Sequence, residues 1–471
     1  MTEIEILKYK EIINSLLFNE SIVTNNLYIN NCEIEITYHK YLCNIKDFNK
    51  YFVNKITKEN YKNLESVYPG VYINISIINN DIISYITNGN LILKIYDEIY
   101  LVNIQNLLNR AISDNVFDAF NLFSSRDGLI ESIETNISLI QKRVKSSNLI
   151  INTYKIGKRS KTEVKIMYIN DIASKNNIKK IKNILSTINT DSILSSTDIY
   201  YHFTKNSIFP LALETGSPEI VATNLYSGKI AILIENIPVA LLLPTTLFSL
   251  MLFTESKKAN PTITIYSRVL ISIMLFLSIF FLGLYAALIT YHSKNLSLVM
   301  ISEIKTSLKG NTSPLFIEFI LLIFLFDLLR MATCRSPKIT LQNVLGTVGG
   351  LLIGQNAVNS GFISSFNLVI AAICYISTYA ITSNQRLITA FSLLRLFVLL
   401  SGLLLGLYGV LISSIIIINY LANKKSLSVD YLAPLSPIFK KDLFILGFSD
   451  KFFKKKYRNN YSDIIDKTKG N

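Results

Sequence analysis

Residues 228–249, GKIAILIENIPVALLLPTTLFS, divide this chain into two kinds of sequence. The run begins as β-type sequence, passes a carboxylate and two prolines, and ends apolar enough for a membrane. Everything before it is polar and rich in Asn, Lys and Ile. After it come apolar blocks too long to sit exposed in water. Such a chain is expected to fold as a soluble half joined to a membrane half, with its function working across the join.

Composition narrows the possibilities. The 471 residues leave room for about two to three domains. A mean hydropathy of +0.36 is high for one soluble globule and fits a half-embedded protein. The formal charge of +14 invites a nucleic-acid reading. However, much of the excess flanks the apolar blocks (Lys257, Lys258, Arg268, Arg335, Lys338) or lies near the C-terminus (Lys440, Lys441, Lys454, Lys455, Lys456, Arg458). The positive-inside rule and anionic lipids place charge there, so membrane lipids are the expected partner and nucleic acid is not. Four cysteines without a CxxC spacing read as free, reduced thiols. The first twenty residues have no uninterrupted apolar core, so no signal peptide is expected and the soluble half is read as cytoplasmic.

The expected fold class is α+β joined to membrane α-helix. Residues 1–105 read as an N-terminal α/β subdomain, with strands in 71–86 and 90–104 split by an Asn-Gly-Asn turn. Residues 106–236 read as a second α/β subdomain. In it Ile130, Ile133, Ile137, Ile140 and Val144 recur at helical spacing, 161–170 is a strand and 176–187 a helix. Residues 237–421 read as a transmembrane helical domain of about four firm spans, at 268–292, 314–331, 365–382 and 394–421. Segments 237–253 and 343–358 are weaker, and each is read as re-entrant or interfacial. Residues 422–471 read as a basic cytoplasmic tail. Four crossings leave the tail and the N-terminal half on one side.

No constellation for catalysis, cofactor or metal is visible. His39, His202 and His292 are scattered, and GxSxG, GxxxxGK[ST] and HExxH are absent, so no enzyme and no cofactor are expected. Gly346, Gly350 and Gly354, and again Gly402 and Gly406, are read as helix-packing positions from their GxxxG spacing. Asp327 and Arg330 share a helix face and form either a structural pair or part of a gate. Gln355, Asn356 and Asn359 form a polar face that either lines an aqueous path or bridges helices. Glu235 is a hinge or a solvated strand end, and with Pro238 and Pro244 it marks where the soluble half couples to the bilayer.

Several ordered motifs carry a resemblance. SGKIAILIENIPVALLLPTTLFSL (227–250), the block 126–173 with its GKRSKTEV core, FDLLRMATCRSP (326–337), TVGGLLIGQNAVNSGFIS (347–364) and VDYLAPLSPIFKKDL (429–443) resemble the bacterial spore germination receptor A subunits of the GerA family. The sequence departs from that pattern at Asn236, Asp327, Met331 and Thr333. The resemblance implies a multi-pass protein of the spore inner membrane that transduces a nutrient germinant signal. It implies a transporter-like B subunit and a lipoprotein C subunit as partners, and a homo-oligomeric, pentameric ring as the channel that releases ions. The alternative from another class is a non-conducting scaffold of the same receptor complex.

Overall fold

The structure, a computed structural model, describes residues 21–29, 32–43, 45–48, 71–74, 85–86, 89–95, 98–103, 127–204, 207–251, 261–292, 314–335, 355–356, 358–439, 464–466 and 468. The N-terminal unit is an antiparallel sheet of β1 (Ile22–Ile29), β2 (Cys32–His39), β3 (Val71–Asn74), β4 (Asn90–Ile95) and β5 (Glu98–Asn103), in the order β1-β2-β4-β5-β3. Alternate positions Ile34 and Ile36 of β2, and Leu91, Leu93 and Ile95 of β4, bury one face.

The second unit holds β6 (Leu149–Ile156), β7 (Thr162–Ile169), β8 (Leu213–Thr215), β9 (Ile230–Ile234) and β10 (Ala240–Leu243), ordered β6-β7-β9-β10-β8. Helix α1 (Ile133–Val144) starts where the Ser132 hydroxyl accepts from the Thr135 amide and stops at Lys145 in the left-handed region. Its Ile133, Ile137, Ile140 and Val144 are buried on one sheet face, beside α4 (Pro218–Tyr226). The other face is covered by α2 (Lys175–Thr187) and α3 (Ser196–Thr204). The two units meet where Gln141 Nε2 lies 2.8 Å from His39 Nε2 and Lys165 Nζ donates to the Tyr41 hydroxyl at 3.1 Å.

Strand β10 corrects the reading of residues 237–253 as re-entrant or interfacial. Ala240–Leu243 pairs with β9 on one side and β8 on the other, and all four residues are buried. A central strand covered on both faces is a continuous apolar run, because neither face meets water. The α/β half therefore extends past 236.

The helical half begins with α5 (Pro261–Phe276), which passes through a π-helical turn (Leu277–Phe281) into α6 (Leu282–Tyr291). Helices α7 (Leu315–Arg335), α8 (Ser365–Ile381) and α9 (Gln385–Ala422) follow. Among the described residues two helices are long and apolar enough to cross a membrane, Ile265–Tyr291 and Gln385–Ala422, where the sequence suggests about four. Helix α7 carries Glu318, Asp327 and Arg330, and α8 has 17 residues, short of the roughly 20 a span needs.

Helix α9 is not the single span that residues 394–421 suggest. At Gly406 the backbone takes φ 64° and ψ −145°, outside any helix. In a straight helix Phe391 and Tyr420 would stand about 44 Å apart. Their ring centroids instead both lie near that of Phe209, at 6.4 and 6.2 Å. The element is a helical hairpin, with its base on the α/β half and Gly406 at its tip. Tyr291, at the end of α6, reaches the tip and donates to the Leu403 carbonyl at 3.0 Å. Helix α5–α6 and the first leg of α9 therefore run away from the α/β half. Helices α7, α8 and the second leg run back, as the Arg330–Thr389 and Thr382–Leu250 hydrogen bonds require.

The chain after the hairpin folds back onto the α/β half. A two-strand ribbon, β11 (Lys425–Ser426) and β12 (Val429–Asp430), sets the Ser426 hydroxyl to donate to Leu211 O at 2.6 Å and accept from the Thr245 amide at 3.0 Å. Tyr431 is wholly buried. The first part of the region read as a basic tail is thus part of the core, because the hairpin returns it there.

Candidate functional site

The site is the join at the base of the hairpin. Glu214 of β8 faces Arg386 in the first turn of α9, with Nε to Oε2 at 2.9 Å and Nη2 to Oε1 at 3.1 Å. Arg386 also donates to the Thr197 hydroxyl and stacks 3.9 Å from the centre of the Tyr200 ring. The Ser196 hydroxyl completes the Glu214 shell at 3.0 Å. A planar guanidinium satisfies such a forked carboxylate and an aromatic face together, which an ammonium cannot. Burial pushes the Tyr200 phenol up to about 12, so it stays neutral. Beside this pair, the Phe209 ring packs against Phe391, Tyr420 and Tyr431. One residue of the α/β half thereby touches both legs of the hairpin and the chain that follows.

A row of polar residues climbs the first leg from this join: Arg386, Thr389, Ser392 and Arg395, spaced by three, so that neighbours in the row adjoin while the row winds about half a turn round the helix. Thr389 accepts from Arg330 at 3.1 Å, and the Ser392 hydroxyl donates to Asp327 at 2.6 Å. Arg330 Nε lies 3.2 Å from the same Asp327 oxygen. The Asp327–Arg330 pair is thus bound across to α9. One turn higher, Arg395 is 1% exposed. It donates to the Ser278 carbonyl at 2.7 Å and to the Thr378 hydroxyl, and lies 3.9 Å from the centre of the Tyr375 ring. Ser278 is in the π-helical turn between α5 and α6, where the widened register frees a carbonyl. Arg395 Nη1 is buried with no hydrogen-bond partner.

At the far end Glu318 is wholly buried, although its place near a helix end suggests a low-cost interfacial position. It accepts from the Ser364 amide at 2.5 Å and from Asn367 Nδ2 at 2.9 Å, and Tyr285 donates to Asn367 Oδ1 at 2.7 Å. This ties α6, α7 and the start of α8 together. Gln355, Asn356 and Asn359 lie just before it and are exposed.

Gly402 packs, but against a glycine on another helix. A Cβ there would sit 2.7 Å from the Gly283 carbonyl oxygen. Gly406 makes the hairpin tip rather than a packing surface, and Gly409 faces the Ser401 carbonyl of the other leg. Gly346, Gly350 and Gly354, and most of the loop and tail lysines, lie outside the described residues. Of the three coupling candidates, Pro244 is buried at the end of β10, next to Thr245 and its bond to Ser426. Glu235 and Pro238 are at the opposite end of the β9–β10 hairpin, where Glu235 accepts from the Glu163 amide at 3.0 Å and closes the β7–β9 ladder. The antiparallel pairing of β9 and β10 separates them from the join.

Among the described residues no group of His, Cys, Asp and Glu could hold a metal ion. The thiol of Cys43 donates to Gly89 O and burial pushes it up to about 12, which leaves it protonated and unreactive. Arg386, Arg395 and Glu214 are absent from the candidates that the sequence suggests. The available signal for the two arginines was a charge in or beside a long apolar block. Nothing in the sequence pairs Arg386 with Glu214, 172 positions away.

The sequence pattern of the Bacillus/Clostridium GerA spore germination protein family matches residues 9–461. The chain is 32% identical over 381 residues to "Spore germination protein XA" of Bacillus anthracis, covering 80% of this chain and 77% of that protein. It is 28% identical over 361 residues to "Uncharacterized membrane protein YfkQ" of Bacillus subtilis, covering 76% and 70%. Among solved structures it is similar to the N-terminal domain of the A subunit of the Bacillus megaterium spore germinant receptor GerK3. That similarity is at 23% identity and a TM-score of 0.38, over 50% of this chain and 92% of that one.

Proposed function

Since the chain belongs to the GerA family of spore germination proteins, we propose that it is the A subunit of a nutrient germinant receptor, spanning the spore inner membrane several times. Its α/β half and C-terminal segment face the cytoplasm. It works beside a transporter-like B subunit and a lipoprotein C subunit, and as a homo-oligomeric ring, a pentamer, it forms the channel that releases ions when germinant binds. The observation that carries this reading is the contact of Phe209 with Phe391 and Tyr420, next to the Glu214–Arg386 pair. A displacement of the α/β half acts directly on both legs of a membrane hairpin. In support of a conducting role, Gln355, Asn356 and Asn359 are exposed polar groups beside apolar spans, where a purely lipid-facing surface would be apolar.

A second reading, a non-conducting scaffold of the receptor, is favoured by Glu318, Asp327 and Arg330, each of which makes a hydrogen bond to a neighbouring helix. Gln355→Leu and Asn359→Leu spores separate the two. Altered cation release after germinant addition, at wild-type protein abundance, supports the channel. Unchanged release overturns the pore role. A response that falls only in proportion to lost complex supports the scaffold.

A further inference from the structure

Helix α2 carries Lys175, Lys179, Lys180 and Lys182 and no acidic residue. Its Ile178, Ile181 and Leu185 are buried on the sheet, which turns Lys179 and Lys180 outward. Its position distinguishes it from an ordinary solvated helix face. Lys180 Nζ donates to Leu427 O at 3.3 Å, and the Ser428 hydroxyl donates to Asn177 Oδ1 at 2.5 Å. Leu427 is five residues beyond Ala422, where the second leg ends, so it lies at most about 18 Å from that end. On the neighbouring stretch, Tyr201 of α3 is 57% exposed and Ile208 is 50% exposed. The Ile208 amide donates to the Tyr420 hydroxyl, in the last turn of the same leg. A lysine row bonded to the segment that leaves the hairpin, and an exposed aromatic–aliphatic pair beside its last turn, thus lie near the base of the hairpin.

We propose that the α2–α3 face docks on the headgroup layer of anionic phospholipids, with the lysines on the phosphates and Tyr201 and Ile208 at the interface. A membrane-crossing leg leaves hydrocarbon at its base, and basic, aromatic and snorkelling side chains are favoured there. Of the neighbouring carboxylates, Asp198 accepts from the Leu194 and Ser195 amides and Asp430 pairs with Lys425, while Asp171 is exposed just before α2, its main-chain carbonyl accepting from the Asp466 amide. The docking fixes the α/β half against the bilayer, so that its movement is read at the Phe209 contact. This proposal rests on the hairpin being embedded in the membrane.

The test places the full-length protein in nanodiscs of phosphatidylcholine alone, and in nanodiscs where roughly a third of the lipid is phosphatidylglycerol. An amine-reactive reagent is followed by peptide mass spectrometry. Lys179 and Lys180 are expected to label roughly fivefold more slowly in the anionic discs, with the difference lost at high salt as the Debye length shrinks. Lys145, exposed at the end of α1, should label equally in both. Equal labelling of Lys179 and Lys180 in the two discs overturns the proposal. So does equal protection in both, which would mark a protein neighbour such as a second copy. Failure to co-elute with either disc would instead overturn the membrane reading beneath it.

Discussion

Glu214 and Arg386, 172 residues apart in sequence, form a two-point ion pair across the join between the β8 edge of the sheet and the first turn of the helical hairpin. The Glu214 side chain is 8% exposed and that of Arg386 34%, so the carboxylate is the more costly group to leave alone. Arg386→Ala is expected to cost about 1–3 kcal/mol of stability, below the value for a fully buried pair because solvent screens the guanidinium. Glu214→Gln should cost less, since an amide keeps one acceptor. A double-mutant cycle on thermal unfolding of the detergent-purified protein reads the coupling. A coupling energy near zero would show that the pair does not hold the halves together.

The glycines of the hairpin differ in what a methyl group would strike. At Gly409 a Cβ would lie 1.9 Å from the Ser401 carbonyl oxygen, and at Gly402 2.7 Å from that of Gly283. Both obstacles are backbone and cannot rotate away. Gly409→Ala should therefore abolish monodisperse protein in detergent. Gly402→Ala should lower its melting temperature, at an overpacking cost of about 1–3 kcal/mol. Gly406→Ala meets only side chains, the Tyr291 ring tightly at 3.3 Å, together with an unfavourable φ of 64°, again about 1–3 kcal/mol. Size-exclusion profiles of the three variants test the order, and a normal profile for Gly409→Ala would contradict the hairpin.

Arg395 tests whether a buried charge is kept for stability. It makes two hydrogen bonds, worth about 1–3 kcal/mol if their partners are left orphaned. Its desolvation costs several kcal/mol, and no carboxylate lies within ion-pair distance among the described residues. Asp327, one turn along, is already taken by Arg330 and Ser392. Desolvation outweighs the two hydrogen bonds, so Arg395→Met should melt no lower than the wild type while germinant response falls. A clear drop in melting temperature would assign the residue to the fold alone.

Acid should loosen the contact between the two α/β units. Burial holds the His39 imidazole down at about 4 from an ordinary 6.5, and the neutral ring faces Gln141. The folded state thus disfavours the proton. Its stabilising effect is complete above pH 6.5 and is lost as pH falls toward 4, on the order of 3 kcal/mol in all. Tyrosine fluorescence melts between pH 7 and 4.5 should show this slope, and His39→Leu should flatten it. An equal slope in the variant would place the titrating group elsewhere.

The spacing of Ile133, Ile137, Ile140 and Val144 specified an amphipathic helix and the face it buries, because helical periodicity is a local property. The ordered motifs likewise carried the family, and the apolar blocks marked where the helices lie. The same local signal misled at residues 240–243. A leucine run looks alike whether lipid or two layers of helices cover it, and only the pairing of β10 between β9 and β8 decides which. Gly406 shows the limit again. Its spacing from Gly402 fits helix packing, yet its φ places it at a chain reversal that depends on Gly283, Tyr291 and Phe209. The sequence by itself determined the amphipathic helix at 133–144 and where the apolar blocks lie, through the periodicity of neighbouring side chains. Tertiary structure alone decided that the last block folds back on itself and that Arg386 meets Glu214, because both depend on contacts between residues far apart along the chain.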